Sequence, residues 1–311
     1  MIQTLIDTTD NEIATLARKS INDIRNLATD KATMLKVFGA TSYNKNMNGF
    51  QKCLKLYPEL LSDPYSRATL KDIKHSLETD QWAAKFKTSG KYTFVVPDLY
   101  AFCEHLFLHI SNPKGLLGNG EVSCKLFKDN IELDCLRSPH LYIEHAIRTN
   151  RHISNWFNTD AIYTSCADCI SKVLQFDNDG DKLLVVPDET LINLAKRNLQ
   201  KYDIVPLFYN MAKAGAKELT SDSLYDGLIC AYTGGNIGEI SNAITKVWNS
   251  GTIDQEKINV VKWLCMENNF VIDYAKTLYK PVRPDWVNEI ISKHVKGRVP
   301  HFFQYAKGKE I

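Results

Sequence analysis

The chain lacks an apolar run long enough to cross a membrane, since a helical span needs about 20 consecutive apolar residues. Its first residues, Met1-Ile2-Gln3, also lack the basic start and apolar core of a secretion signal. Positive and negative charges are nearly balanced: the chain has 38 Lys and Arg and 36 Asp and Glu, for a net charge of +2. The sequence therefore predicts a protein without membrane association, and any nucleic-acid surface has to be a local patch.

Low-complexity segments and flexible linkers are also missing. Eight cysteines in 311 residues, without an export signal, indicate reduced thiols in a cytoplasm rather than a disulfide framework. Charged residues make up 24% of the chain and hydrophobic residues 44%. These values are typical of a globular chain with one large domain or two modest ones.

Against this ordinary background, one acidic stretch stands out: Asp177-Asn178-Asp179-Gly180-Asp181. Side chains of an extended chain alternate between faces, so carboxylates at every second position can converge where the chain turns tightly, and Gly180 permits such a turn. Three converging anions repel one another unless a cation neutralises them, and oxygen ligands suit a hard cation, Mg²⁺ or Ca²⁺. A solvated acidic turn is the alternative interpretation.

The residues around this loop favour magnesium over calcium. A calcium-binding helix–loop–helix motif places acids at loop positions 1, 3, 5 and 12, and the three loop aspartates with Asp188 meet that requirement. Lys182, however, stands at position 6, where such a loop needs glycine, and the following Leu-Leu-Val-Val-Pro is strand-like. The spacing therefore predicts a catalytic Mg²⁺ site on a hairpin between two strands, with a calcium-binding module as the alternative.

Hydrophobic periodicity divides the chain into a helical start, a strand-rich middle and a helical end. The predicted helices cover residues 10–38, 50–88 with breaks at Pro58 and Pro64, 98–108, 188–249 and 255–280. The predicted strands cover residues 92–96, 122–127, 131–136, 161–164 and 182–186, the second and third as a hairpin.

The string Val-Val-Pro-Asp occurs twice, at residues 95–98 and 185–188. At each place a strand is expected to end and an aspartate to cap a helix. Such junctions are common enough for chance to produce the repetition, and a pseudo-symmetric barrel would also produce it.

Four further elements, in a fixed order around the acidic loop, carry a resemblance to a known superfamily. Arg137-Ser138-Pro139-His140-Leu141 begins 40 residues before the loop. Before the Arg137 element come Gly115-Leu-Leu and Gly120-Glu-Val. The segments 236–242 and 271–277 follow the acidic loop. Over roughly residues 90–307, these elements resemble the active-site barrel of the two-barrel RNA polymerases. That superfamily includes the large subunits of cellular RNA polymerase, the eukaryotic-type RNA-dependent RNA polymerases and the YonO-like phage polymerases.

The resemblance implies an α+β chain built around a double-psi β-barrel that carries the acidic loop. The barrel is expected over residues 91–187. A helical N-terminal region would occupy residues 1–90, and a mainly helical C-terminal region residues 188–311.

The resemblance also implies the roles of the site residues. The three loop aspartates are expected to hold the catalytic Mg²⁺, with Mn²⁺ as a substitute, and Arg137 to face the incoming nucleotide near its ribose. Metal ions held by shared carboxylates can activate a 3′-hydroxyl and neutralise the leaving pyrophosphate, so that nucleotidyl transfer needs no side-chain base. For Arg137, a structural salt bridge to Glu144 or Asp134 is the alternative.

The implied function is template-directed RNA synthesis, and the implied partners are a nucleic-acid template, the RNA product and NTPs, in the cytoplasm of a bacterium or of a phage-infected host. These polymerases normally have a second barrel ahead of this one, and the roughly 90 helical residues before the barrel here are too few to form it. This predicts a separate subunit with the second barrel, as in a split or truncated polymerase. A non-catalytic nucleic-acid-binding or assembly subunit is the alternative.

Three other patterns compete with this site. Cys166-Ala-Asp-Cys169 has zinc or redox spacing, but buried thiols are the simpler interpretation. His105 and His109 lie one helical turn apart on an apolar segment, which favours packed histidines over metal ligands. The last 36 residues interleave basic and aromatic side chains, a composition that suits single-stranded or hybrid nucleic acid, or else a solvated basic face.

Overall fold

The computed structural model describes residues 2–201, 207, 209, 215–216, 218–233, 237–277 and 279–295. These residues form two compact units, one made of residues 8–88 and the other of residues 2–7 together with 89–295. None of the described helices has both the length and the apolarity to span a bilayer.

The smaller unit is helical. It contains α1 (Asp10–Asn26), α2 (Lys31–Phe38), α3 (Gly49–Leu56), a 3-10 helix (Pro58–Ser62) and α4 (Pro64–Trp82). The α-helices begin at side-chain caps, provided in order by Thr9, Asp30, Asn48 and Asp63. The helix predicted over residues 10–38 is therefore two helices, because the Asp30 carboxylate accepts from the backbone N–H of Thr33 at 2.8 Å and starts a second one.

The larger unit is built around a closed barrel with the strand order β1-β5-β2-β4-β3-β6. The strands are β1 (Lys91–Pro97), β2 (Glu121–Ser123), β3 (Glu132–Arg137), β4 (Ala146–Asn150), β5 (Ile162–Thr164) and β6 (Lys182–Val186). The pairs β1–β5 and β2–β4 are parallel, and the other neighbours are antiparallel. The expected α+β class with a barrel is confirmed.

The barrel closes because alternate side chains of its strands point into one apolar core. Along β6, Leu183 and Val185 are buried while Lys182 is exposed. Val185 lies opposite Cys135 of β3 in the register, and both are completely buried. The interior of the barrel is therefore packed by side chains, which leaves its ends to present functional groups.

The predicted hairpin of residues 122–127 with 131–136 is wrong. β2 ends at Ser123 and pairs with β4 and β5, whereas β3 pairs with β4 and β6. β4, which was not predicted, comes between them. The buried Asn150 side chain at its end accepts from the backbone N–H of Cys124 at 2.8 Å and donates to the Cys124 carbonyl at 3.1 Å. The polar sequence of this strand, Arg148-Thr149-Asn150, hides the apolar alternation on which strand prediction depends.

The repeated Val-Val-Pro-Asp string occupies equivalent junctions, as expected. β1 ends at Pro97, and Asp98 caps the following helix by accepting from the N–H of Tyr100 at 3.0 Å. β6 ends at Val186, and Asp188 accepts from the N–H of Leu191 at 3.2 Å. The two strands are antiparallel neighbours in the barrel, so the repetition coincides with a structural correspondence.

Helices complete the larger unit. They are α5 (Leu99–Leu108), α6 (Ile170–Leu174), α7 (Glu189–Lys201), α8 (Ser221–Thr233), α9 (Ile237–Trp248), α10 (Gln255–Ile272), α11 (Tyr274–Thr277) and α12 (Asp285–Val295). A second apolar core joins α9, α10 and α12, with Ile244, Val260 and Leu264 at its centre. This core fixes the position of α10, which borders the site described next.

Most apolar side chains of α5 face outward, as do Leu224, Tyr225 and Leu228 of α8. Ala101 is buried, whereas Phe102 and Phe107 are 59% and 69% exposed. His105 and His109 are exposed as well. The prediction that these histidines are packed is therefore wrong, because the apolar residues around them do not form a core.

Candidate metal centre

The acidic loop joins a helix to a strand. α6 ends at Leu174 and is followed by its C-cap Gln175, which adopts the left-handed conformation with φ 55°, and β6 begins at Lys182. The predicted hairpin between two strands is wrong, because the apolar Val173 and Leu174 belong to α6. The calcium-binding helix–loop–helix motif is not formed either, since a strand follows the loop.

The loop brings its three aspartates together. Asp177, Asp179 and Asp181 each offer a carboxylate oxygen, and these oxygens lie within 4.8 Å of one another. Within the loop, the backbone N–H of Asp177 donates to Asp181 Oδ2 at 3.3 Å, and that of Asp179 donates to Asp177 Oδ1 at 3.4 Å. Gly180 has φ 129°, a conformation that strains residues with a side chain. The chain turns at this glycine and the carboxylates converge.

This donor set fits a hard divalent cation. Oxygen is the preferred ligand of Mg²⁺ and Mn²⁺, and a bound cation would relieve the mutual repulsion of the carboxylates. Two of the aspartates are exposed and the third, Asp181, is half-buried, so an ion can enter from solvent. In the described part of the chain, the triad meets the distance requirement for a shared metal ion.

Arg137 lies beside the triad because of the strand register. It is the last residue of β3 and pairs with Leu183 of β6, two residues beyond Asp181. Its Nε lies 3.6 Å from Asp181 Oδ2, and the two side chains are 17% and 29% exposed. The structure therefore places the basic and the acidic candidate residues at the same end of the barrel.

The two acids proposed as structural partners of Arg137 have other environments. Asp134 is completely buried, and its Oδ2 lies 2.7 Å from Nδ1 of His145. Burial raises the pKa of Glu144 to about 8, although the charge of Arg137 favours the ionised form. The ion pair of Arg137 is thus with a member of the triad.

A cavity of about 200 Å³ opens beside Arg137, and its mixed polar and apolar walls include Gln175, Tyr209, Asn269 and Asp273. The amide Nδ2 of Asn269 donates to Gln175 Oε1 at 2.7 Å and also contacts the Tyr209 hydroxyl. Its Oδ1 accepts from Arg137 Nη1 at 3.5 Å. A hydrogen-bond network therefore connects this cavity to Arg137, whose ion pair with Asp181 continues to the triad.

Sequence reasoning missed Gln175, Tyr209 and Asn269. Gln175 precedes the acidic loop closely, and that position is the one signal that could have identified it. Tyr209 and Asn269 lie 34 and 94 residues further along the chain than Gln175. No spacing rule relates them to the loop, and only the folded chain brings them together.

The remaining candidates lie elsewhere. Cys166 and Cys169 are exposed free thiols, so their predicted burial is wrong. Cys166 is held near the backbone carbonyl of Lys114, with its Sγ 3.5 Å from that oxygen. Of the basic and aromatic C-terminal segment, residues 296–311 lie outside the described residues.

The fold and site together define an α+β protein with a carboxylate triad and an arginine at one end of a closed barrel. No protein-family model matches the chain. Over its whole length, the chain is 50% identical to the DNA-directed RNA polymerase YonO of Bacillus phage SPbeta. It spans 37% of the length of that polymerase.

Proposed function

We propose that this chain carries the metal-dependent active site of an RNA polymerase, which adds nucleotides from NTPs to an RNA 3′-end and releases pyrophosphate. The observation that carries the proposal is the aspartate triad with Arg137 3.6 Å from one of its members. The identity with a phage polymerase supports it. Because that relative is DNA-directed, we propose DNA as the template.

In this proposal Asp177, Asp179 and Asp181 hold Mg²⁺, or Mn²⁺ in its place. When bound, the metal would supply activation of the 3′-hydroxyl and charge neutralisation at the α-phosphate and the leaving pyrophosphate. Arg137 contributes a planar, positively charged fork of N–H donors, and it binds the ribose of the incoming nucleotide. Its limited exposure strengthens those hydrogen bonds relative to bonds formed in water.

Isothermal titration tests the metal assignment. The unmodified chain is expected to bind Mg²⁺ or Mn²⁺, and Asp179→Ala is expected to remove that binding. Asp72→Ala is the matched control, because Asp72 is an exposed aspartate of α4. Equal binding by Asp179→Ala and the unmodified chain would contradict the site, and Ca²⁺ binding without Mg²⁺ binding would favour a calcium-binding module.

Primer extension tests the activity. The chain spans 37% of its relative, so we would assay it alone and with the polypeptide that corresponds to the unmatched part of the phage polymerase. RNA extension that Asp179→Ala abolishes is the expected result. Binding of the primer–template without extension in either mixture would favour a nucleic-acid-binding or assembly subunit.

We also propose that the polypeptide corresponding to the unmatched part of the phage polymerase carries the second barrel and binds α5. Leu99, Phe102, Leu106 and Phe107 follow the spacing of one helix face and are 48–69% exposed. Burying one such side chain contributes about 1.5–3 kcal/mol. The chain matches 37% of the phage polymerase, and we propose the polypeptide that corresponds to the remainder as the occupant of this face.

Size-exclusion chromatography with light scattering tests this interface. The chain and the unmatched YonO polypeptide are expected to form a one-to-one complex that the double variant Phe102→Ser, Phe107→Ser prevents. Tyr43→Ser, at an exposed residue of the smaller unit, is the control. Failure to form the complex would contradict the proposal, and self-association that depends on the two phenylalanines would assign the face to a second copy of the chain.

We place this activity in the cytoplasm of a bacterium or a phage-infected host. The cysteines with described side chains are free thiols, which fits a reducing compartment. Burial also raises the pKa of Cys135 and of Cys265, so both remain protonated and unreactive.

A further inference from the structure

We propose that Asn269 is a positioning residue that holds Arg137 and Gln175 in fixed orientations at the base of the acidic loop, and thereby sets the affinity of the site for a nucleotide. The inference rests on the proposed function, in which Arg137 binds the nucleotide. It concerns a side chain of α10 that is distant in sequence from both the triad and Arg137.

Asn269 occupies the centre of the network. Its Oδ1 lies 3.5 Å from Arg137 Nη1, and its Nδ2 lies 2.7 Å from Gln175 Oε1. Arg137 ends the strand next to β6, and Gln175 is the C-cap of the helix that leads into the loop. One amide therefore connects the end of α6, which precedes the acidic loop, to β3, which pairs with the strand that follows the loop.

The orientation of this amide is determined by its neighbours. Arginine offers only donors, so it requires the oxygen of Asn269, while Gln175 Oε1 is an acceptor and requires the NH₂ group. Turning the amide over would place its NH₂ group against the guanidinium and its oxygen against Gln175 Oε1. Both contacts are repulsive, so the network admits one arrangement.

Two further hydrogen bonds close the network. Gln175 Nε2 donates to the carbonyl of Leu207 at 2.8 Å, and the Tyr209 hydroxyl donates to Gln175 Oε1 at 3.4 Å. Burial raises the pKa of Tyr209 to about 12, so the hydroxyl keeps its proton. Phe270, the next residue of α10, is buried and anchors the helix end that carries Asn269.

A neutral acceptor is what Arg137 needs at this position. The other partner of Arg137 is Asp181, whose carboxylate is required for the proposed metal. Asn269 contacts Nη1 while Asp181 faces Nε, so the amide can retain the guanidinium when the carboxylate binds a cation. Because it is uncharged, the amide adds no fourth anion beside the triad and leaves the remaining N–H donors for the nucleotide.

A double-mutant cycle tests whether Asn269 acts through Arg137. Affinity of the full chain for ATP in Mg²⁺ would be measured for the unmodified protein, Asn269→Ala, Arg137→Ala and the double variant. Asn259→Ala is the matched control, since Asn259 is an exposed residue of the same helix that bonds Gln255 at 3.0 Å. For the same proteins, the Kd for dATP and the Kd for Mg²⁺ alone would also be measured.

We expect Asn269→Ala to weaken ATP binding by roughly two- to tenfold, the range of one hydrogen bond. In the Arg137→Ala background the same substitution should have no further effect, and Mg²⁺ binding should stay unchanged. The ratio of ATP to dATP affinity should fall in Asn269→Ala and stay at its original value in Asn259→Ala. A merely structural role would weaken ATP binding equally in both backgrounds and leave the ratio unchanged.

The results separate this inference from the function on which it rests. If Arg137→Ala leaves ATP binding unchanged, the proposed role of Arg137 fails. If Arg137→Ala weakens binding and Asn269→Ala has no effect, or an additive one, the positioning role alone is overturned. Thermal unfolding of each variant identifies any loss of binding that arises from misfolding.

Discussion

Arg137 and Asp181 are 3.6 Å apart because β3 and β6 are antiparallel neighbours, with Arg137 opposite Leu183. Strand pairing alone thus places a guanidinium at the edge of a carboxylate cluster. The pair is partly shielded from solvent, with Arg137 17% exposed. The Arg137 guanidinium can therefore hydrogen-bond an anionic ligand with hydroxyl groups when that ligand is bound to a metal ion at the triad.

Replacing Arg137 by lysine should impair nucleotide use without unfolding the protein. Lysine keeps the charge but loses the planar fork, so one charge-assisted hydrogen bond is expected to disappear. We expect the KM for NTPs to rise roughly tenfold and the preference for NTPs over dNTPs to weaken in primer extension. Arg18→Lys, at an exposed residue of α1, should change neither value, and unaltered kinetics in Arg137→Lys would contradict the assignment.

Much of this site could be predicted because its signals are local. The alternation of Asp177, Asp179 and Asp181 around Gly180 predicts convergence in any tight turn, and the triad does converge. The caps at Asp98 and Asp188 follow from strand–Pro–Asp junctions, which depend on a few adjacent residues. Local chemistry of this kind needs no knowledge of the tertiary structure.

The parts that could not be predicted depend on long-range pairing. β4 carries the polar residues Arg148, Thr149 and Asn150. The half-buried Arg148 and the buried Asn150 have partners distant in sequence, so the residues of this strand do not resemble a strand. The apolar Val173 and Leu174 suit a helix or a strand equally well, and the surrounding fold selects the helix α6. Asn269 has a role only because α10 packs where it does.

The buried ion pair between Arg148 and Asp168 should stabilise the start of α6. Arg148 Nη2 donates to Asp168 Oδ1 at 2.8 Å, and the same oxygen accepts from the N–H of Ile170 at 3.1 Å. The Asp168 side chain is 1% exposed. Arg148→Met would leave a buried carboxylate without its cation, so we expect a loss of about 3–5 kcal/mol in the free energy of unfolding.

Arg151 provides the comparison for that prediction. It lies 3.3 Å from Glu121 and is 56% exposed, so Arg151→Met should cost no more than about 1 kcal/mol. Urea unfolding of both variants measures the difference. Equal losses would show that the Arg148 pair contributes no more than a surface pair.

Gly115 should not tolerate a side chain. Its φ is +68°, and an added Cβ would lie 2.3 Å from Oδ2 of Asp98. That carboxylate caps α5 and accepts from the N–H of Leu117 at 3.0 Å, so it cannot move without losing bonds. We expect Gly115→Ala to lower the thermal midpoint by several degrees, through about 1–3 kcal/mol of strain and lost hydrogen bonding.

Gly227→Ala is the control for Gly115→Ala. An added Cβ at this position of α8 would meet nothing within 4 Å, and alanine favours a helix over glycine by about 1 kcal/mol. The midpoint of Gly227→Ala should therefore stay the same or rise, as measured by circular dichroism. A midpoint for Gly115→Ala equal to that of the unmodified protein would show that the Asp98 loop adapts freely.

The last prediction concerns Glu144 and pH. Burial raises the pKa of Glu144 from an ordinary value of 4.5 to about 8, and its Oε2 has no hydrogen-bond partner among the described residues. Between these two values the folded chain holds a proton that the unfolded chain releases. The contribution of Glu144 to stability is therefore greatest at acidic pH and declines as the pH rises from about 4.5 to about 8.

Glu144→Gln removes this titration, so the variant should gain stability relative to the unmodified protein as the pH rises from 6 to 8. The slope of the difference should approach about 1.4 kcal/mol per pH unit. The pKa of His140 is lowered by burial and by the neighbouring His145, and this opposing dependence cancels because both proteins contain it. Urea unfolding at several pH values measures the difference, with Glu59→Gln at an exposed acid as the control. Parallel pH profiles for Glu144→Gln and the unmodified protein would show that Glu144 is ionised in the folded chain, because a buried acid that stays protonated must make the two profiles diverge.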